Sequence, residues 1–151
     1  MASRRPELNF VLVGPVDDRV ADEAAALGRL SNVTLHPAQP AEKVASFVRG
    51  FDVGLIPFVV DEMTRGVTPL KMFEYLASGV PVVATPLPAC VDHPAVETAS
   101  EPGSFAALIA AAVKMVPEQR SSLRHAAEDA SWERRLQPLL DRLDALGLRR
   151  V

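Results

Sequence analysis

The sequence predicts an α/β fold in which helices cover both faces of a parallel β-sheet. Three observations predict it. Short runs of aliphatic and β-branched residues recur over residues 8–13, 32–36, 52–58 and 80–85. These runs are largely apolar rather than alternating, as strands buried on both faces are. Segments with helical signals lie between them, and alternating strands and helices argue for a parallel sheet. The 151 residues are enough for one such domain, burying roughly 68–70% of the unfolded surface.

Residues 8–13 form the first strand and end at the turn signal Gly14-Pro15. Asp17 and Asp18 then place negative charge where a helix start prefers it. The Ala-rich residues 19–27 follow as a helix, stopped by Gly28. Residues 32–36 are the second strand. Residues 39–48 are the second helix, with Val44, Phe47 and Val48 on one stripe and Gly50 at its end. Residues 52–58 are the third strand, with Pro57 near its end, and residues 61–67 are a polar loop. Residues 69–78 are a helix closed by Gly79. Residues 80–85 are the fourth strand, 86–94 a proline-rich loop and 95–99 a weak fifth strand. Helices over 104–115, 117–129 and 131–146 complete the chain. No internal repeat or low-complexity linker interrupts it, so a single domain over 1–151 is expected.

Composition removes several functional classes. The net charge is −3 and the basic residues are scattered, so nucleic-acid binding has no electrostatic support. Aromatics at 5% leave few base-stacking platforms. Cys90 is the one cysteine. It can build neither a disulfide framework nor a Cys-based zinc site, and it reads as a small, at least partly buried thiol. Residues 1–6 lack the apolar core of a secretory signal. No apolar run approaches the ~18 residues of a membrane span. The cytoplasm is the expected compartment, with peripheral membrane attachment open for a longer protein.

Ligands of open α/β sheets bind beyond the carboxyl ends of the strands. The richest such loop runs from Phe58 to Thr68 and feeds a helix. Thr68 reads as its N-cap and Pro69 as its first residue. Free amides on Leu70 and Lys71, together with the helix dipole, would suit an anion. Gly66 allows close backbone approach. Lys71 and Glu74 stand three apart and are neighbours on the helix surface. A carboxylate there can accept hydrogen bonds from a vicinal diol. An ordinary solvated ion pair beside a well-made cap explains the same residues, and chemistry alone leaves both readings open. Arg65 reads equally as a phosphate or sugar-acid contact and as a solvated arginine.

Residues 52–86, with the pattern P-L-K-x-F-E-Y-L-A-x-G-x-P-V-V, resemble the C-terminal domain of two-domain GT-B glycosyltransferases. The likeness is to the retaining family 4 and the glycosyl transferases group 1-like enzymes of capsule, teichuronic-acid and exopolysaccharide synthesis. It continues upstream through residues 8–15 and 32–53, and downstream through the helix opening Ser131-Trp132-Glu133-Arg134. The resemblance implies a Rossmann-like, nucleotide-sugar-binding domain, one half of a GT-B architecture. By position, it implies that Glu74 meets the ribose diol and that Thr68, Pro69 and Leu70 form the diphosphate turn. Pro37 and Ala38 would flank the base, and Gly14 would face the nucleotide. No metal or other cofactor is implied.

Two departures stand out. The first acid of the family's Glu-x7-Glu motif falls on Gly66, with Asp61 and Glu62 nearby. The family's domain also begins with one more strand and helix, preceded by an acceptor-binding domain. The sequence therefore reads as a donor-binding half, either excised or dependent on a partner. An uncovered sheet edge would favour pairing with a second copy. A nucleotide-sugar epimerase and a non-catalytic α/β interaction domain are the competing readings. Asp17-Asp18 are adjacent, unlike the spaced acids that hold a metal, and read as helix-start charge. His36, His93 and His125 have no ligand spacing; His36 reads as a satisfied loop histidine.

Overall fold

The computed structural model describes residues 1–148. They fall into two compact units, Met1–Gly50 and a second beginning at Phe51.

In the first unit β1 (Phe10–Val13) pairs in parallel with β2 (Val33–His36), in the register Phe10 to Val33 through Val13 to His36. Parallel pairing needs a crossover. It is made by a 3-10 turn over Asp18–Val20 and α1 (Ala21–Gly28), which packs against β2. Asp17 caps that turn: its carboxylate accepts from the Arg19 backbone N–H at 2.9 Å and from the Arg19 guanidinium at 2.9 and 2.8 Å. The guanidinium, with the backbone bond second, pulls the Asp17 pKa down to about 2. α2 (Ala41–Arg49) ends at Gly50 and buries Val48. His36 stacks at a tilt on Phe47, centroids 4.9 Å apart. The Asn32 side-chain amide lies 3.1, 3.0 and 2.9 Å from the carbonyls of Ala2, Arg5 and Leu8, which pins the segment leading into β1.

β1 is not buried on both faces as its composition suggests. Val11 and Leu12 point to opposite faces, yet are 38% and 44% exposed. A sheet of two strands offers them too few neighbours.

The second unit holds β3 (Gly54–Ile56), α3 (Leu70–Ala77), β4 (Val82–Ala84), α4 (Pro88–Val91) and β5 (Val96–Thr98). α5 (Pro102–Ala112), α6 (Pro117–Asp129) and α7 (Trp132–Ala145) follow. The sheet order is β3-β4-β5, all parallel. The strands are thus divided between a two-stranded and a three-stranded sheet rather than joined in one. Among the described residues β1 pairs only with β2, and β3 only with β4.

β4 is the centre of this unit, and all three of its residues are buried. Val82 and Ala84 share a face and join Ile56, Met72, Leu76, Leu87, Cys90 and Leu123 in one core cluster. Val83 points the other way and is equally buried, where α5 packs against β4 and β5. Full burial of side chains such as Met72 and Leu76 stabilises by roughly 1.5–3 kcal/mol each. α6 packs along α3 and sends Leu123 into the cluster. Residues 86–94 are not simply a loop: Pro88 opens α4, because proline suits the first helical turn. Cys90 lies within that helix, wholly buried. α7 buries no residue, and Trp132, Leu136 and Leu139 are exposed along it. Its Arg135 guanidinium lies 5.5 Å over the Phe73 ring, while His93 meets Phe73 edge-on at 5.9 Å.

Candidate functional site

The loop from β3 to α3 is organised by two threonines that the sequence did not single out. Thr85, just past β4, donates from its hydroxyl to the Phe58 carbonyl at 2.7 Å, and from its backbone N–H to Ile56 at 3.0 Å. Thr64 donates from its hydroxyl to the Val59 carbonyl at 2.7 Å and accepts from the Asp61 N–H at 2.8 Å. The Thr64 N–H returns to the Asp61 carboxylate at 2.8 Å. That backbone bond, then the Thr64 hydroxyl, lowers the Asp61 pKa. A 3-10 turn over Thr64–Gly66 follows, so Arg65 and Gly66 are carried on ordered backbone. Asp61, one of the two acids near the vacant motif position, already has its carboxylate engaged by Thr64. Nothing lies within 4 Å of the point where a Gly66 Cβ would stand.

The helix that follows starts one residue later than its sequence suggests. Pro69, not Thr68, is the N-cap of α3, and no side chain caps the helix. Pro69 has extended backbone (ψ 110°), so helical geometry begins at Leu70 and Thr68 stands one position too early for its hydroxyl to cap. The Met72 N–H reaches the Pro69 carbonyl at 3.0 Å. The amides of Leu70 and Lys71 take no partner among the described residues, as expected of the first turn of a helix. Leu70 is 69% exposed.

Lys71 Nζ lies 2.6 Å from Glu74 Oε2, with the two side chains about half exposed. The expected i,i+3 neighbours therefore form a real ion pair one turn into the helix. Tyr75, next in sequence, lies against Gly54 of β3. Burial, with the Glu74 charge second, raises the Tyr75 phenol pKa.

In the first unit Gly14 directly follows β1, and its N–H donates to the His36 carbonyl at 3.1 Å. Pro37 and Ala38 directly follow β2, and the Pro37 carbonyl accepts from the Gln39 side chain at 3.1 Å. The residues read from the sequence thus form two groups. Gly14, Pro37 and Ala38 stand at the carboxyl ends of the strands of the first unit. Arg65, Gly66, Thr68, Pro69, Leu70, Lys71 and Glu74 stand on one loop and helix of the second.

Parallel strands whose carboxyl ends lead into loops and a helix N-terminus define a Rossmann-like α/β domain. Residues 1–117 match the model of the family Glycosyl transferases group 1. The chain belongs to that family. It is also 39% identical over 88 residues to a protein of Bacillus subtilis (strain 168) that carries the name of a teichuronic acid biosynthesis glycosyltransferase, TuaH. The matched stretch is 58% of this chain and 22% of that relative, so the likeness spans about a fifth of the relative's length. Among the described residues no helix is long and apolar enough to cross a membrane.

Proposed function

We propose that this chain is the donor-binding half of a glycosyltransferase. It holds a nucleoside diphosphate sugar for glycosyl transfer to a hydroxyl acceptor in polysaccharide or glycoconjugate synthesis. The observation that carries this reading is the start of α3. Two unpartnered amides, on Leu70 and Lys71, stand beside a lysine–glutamate pair, within the span that matches the family. A diphosphate meets the amides, the positive end of the helix dipole and the Lys71 ammonium. Arg65 adds a cation on the same loop. As the glycosidic bond to the diphosphate breaks, negative charge grows on the leaving oxygen, and these fixed donors stabilise it. Glu74 accepts from the ribose diol. The acceptor-binding part is a separate domain of the full enzyme, and transfer takes place in the cytoplasm.

Calorimetric titration with UDP-, GDP- and ADP-sugars tests this. One of them should bind, and Glu74→Ala should weaken it. Unchanged affinity in that variant removes Glu74 from the site, and no binding at millimolar concentration overturns the reading. No metal takes part in this scheme, so a chelator should leave donor affinity unchanged; a loss of binding in EDTA refutes that element. Pairing between copies of the chain along a free strand edge is a further part of the proposal, which sedimentation would reveal as a dimer and a strict monomer would rule out.

A further inference from the structure

The two side chains assigned to the donor are, in this structure, assigned to each other. Lys71 Nζ sits 2.6 Å from Glu74 Oε2 and meets no other partner among the described residues, so each group spends its charge on its neighbour. The pairing has a physical reason. A cation in the first turn of a helix faces the positive end of the dipole, which disfavours it. Glu74, one turn on, is the nearest group on the same helix that offsets that cost. Both side chains are about half exposed, 53% and 47%, so neither is locked by packing. Ion pairs this exposed hold their members only weakly.

We propose that Lys71 and Glu74 act as a two-position latch. In one position they hold each other, as here; in the other, with donor bound, Lys71 turns to the diphosphate and Glu74 to the ribose diol. The latch rests on the donor-site reading above and adds a coupling to it. Diphosphate draws Lys71 away and leaves Glu74 free for the diol; the diol, by occupying Glu74, releases Lys71 for phosphate. Linkage requires the coupling to be reciprocal. Pairing also spares the helix start an unmatched cation.

The test separates the two halves of the donor, using the full chain and three variants: Glu74→Gln, Lys71→Met and the double substitution. The probes are inorganic pyrophosphate, the ribonucleosides uridine, guanosine and adenosine, and their 2′-deoxy counterparts. Glu74→Gln should tighten pyrophosphate by roughly two- to fivefold, the range an exposed ion pair can withhold. That gain should vanish in the Lys71→Met background, because it works through the freed ammonium. Lys71→Met should tighten the recognised ribonucleoside by a similar factor and leave its 2′-deoxy form unaffected. The nucleoside is uncharged, so removal of a cation cannot attract it electrostatically. In the unaltered chain, saturating pyrophosphate should tighten the same nucleoside. A pyrophosphate gain that persists without Lys71 is simple relief of charge repulsion and overturns the latch. So does the absence of any gain in either arm while UDP, GDP or ADP still binds. Failure of every nucleotide and of pyrophosphate to bind overturns the donor-site reading itself, and the latch with it.

Discussion

Gly54→Ala is the substitution whose consequence follows most directly from the structure. Gly54 opens β3, and its N–H donates to the Pro81 carbonyl at 2.9 Å. A Cβ built there would stand 2.3 Å from Tyr75 Cδ2, 2.5 Å from Cγ and 2.8 Å from Cε2. Contacts under 3.0 Å are not tolerated, and the obstacle is a ring near its root rather than the tip of a flexible chain. Tyr75 must move, and its neighbour on α3 is Glu74. Overpacking of this kind costs about 1–3 kcal/mol. Relief of glycine's conformational entropy returns about 0.5–1 kcal/mol. The net expectation is a loss of up to about 2.5 kcal/mol. In a chain of this size that lowers Tm by up to roughly 10 °C. Thermal unfolding followed by circular dichroism measures it. Tyr75 is the single tyrosine, so its ultraviolet titration reports on its burial without interference. Burial raises that phenol pKa, and the variant's should fall back toward the ordinary value. In a Tyr75→Ala background the cost of Gly54→Ala should disappear. An unchanged Tm with an unchanged phenol titration would refute the argument that Gly54 is there to seat the Tyr75 ring.

Gly79 follows α3 with φ +72°, in the left-handed region, and the Arg124 guanidinium lies 2.9–3.0 Å from where its Cβ would stand. Gly79→Ala should cost about 1–2 kcal/mol through backbone strain, read as a lower urea midpoint, with Gly79→Asn milder; equal midpoints would sink this. Thr64→Val removes the donor to Val59 and the acceptor for Asp61. It should speed limited proteolysis within residues 59–67, while Tm changes by about 1 kcal/mol equivalent or less; unchanged cleavage shows that the threonine does not hold the loop. His93 Nδ1 accepts from the Ala95 N–H at 3.2 Å, which only an unprotonated nitrogen can do. Burial, with the Arg135 charge second, holds its pKa below the ordinary histidine value. The folded pKa is therefore the lower one, so the contribution is complete above the unfolded value of about 6.5 and is lost as pH falls through the folded value. Denaturation at pH 7, 6 and 5 should show a decline that His93→Gln flattens, and an equally steep decline in the variant would contradict it.

What the sequence made legible divides by the range of the interaction involved. α6 falls on residues 117–129 as expected because its start signal is local: Pro117 sits at the first helical position and the Gln119 side chain accepts from the Val116 N–H at 3.1 Å. The end of α3 at Gly79 is local for the same reason. Strands came out shorter than their apolar runs, β3 as Gly54–Ile56 within 52–58 and β4 as Val82–Ala84 within 80–85, because a ladder ends where a partner ends. The exposure of Val11 and Leu12 is likewise set by neighbours and not by their own hydrophobicity. The same division runs through the candidate site. Lys71 and Glu74 were legible as neighbours because a helix of any origin brings i and i+3 together. The supports of the site were not. Thr85 reaches Phe58 across 27 residues, Tyr75 finds Gly54 only when α3 lies on β3, and Thr64 closes its loop only once the chain has turned. Residue identity alone therefore exposes the groups that would touch a ligand and hides those that hold them in place. That asymmetry explains why Glu74→Ala and Gly54→Ala are different experiments. The first asks whether a chemically legible group binds. The second asks whether a contact visible only in the fold keeps that group where binding needs it.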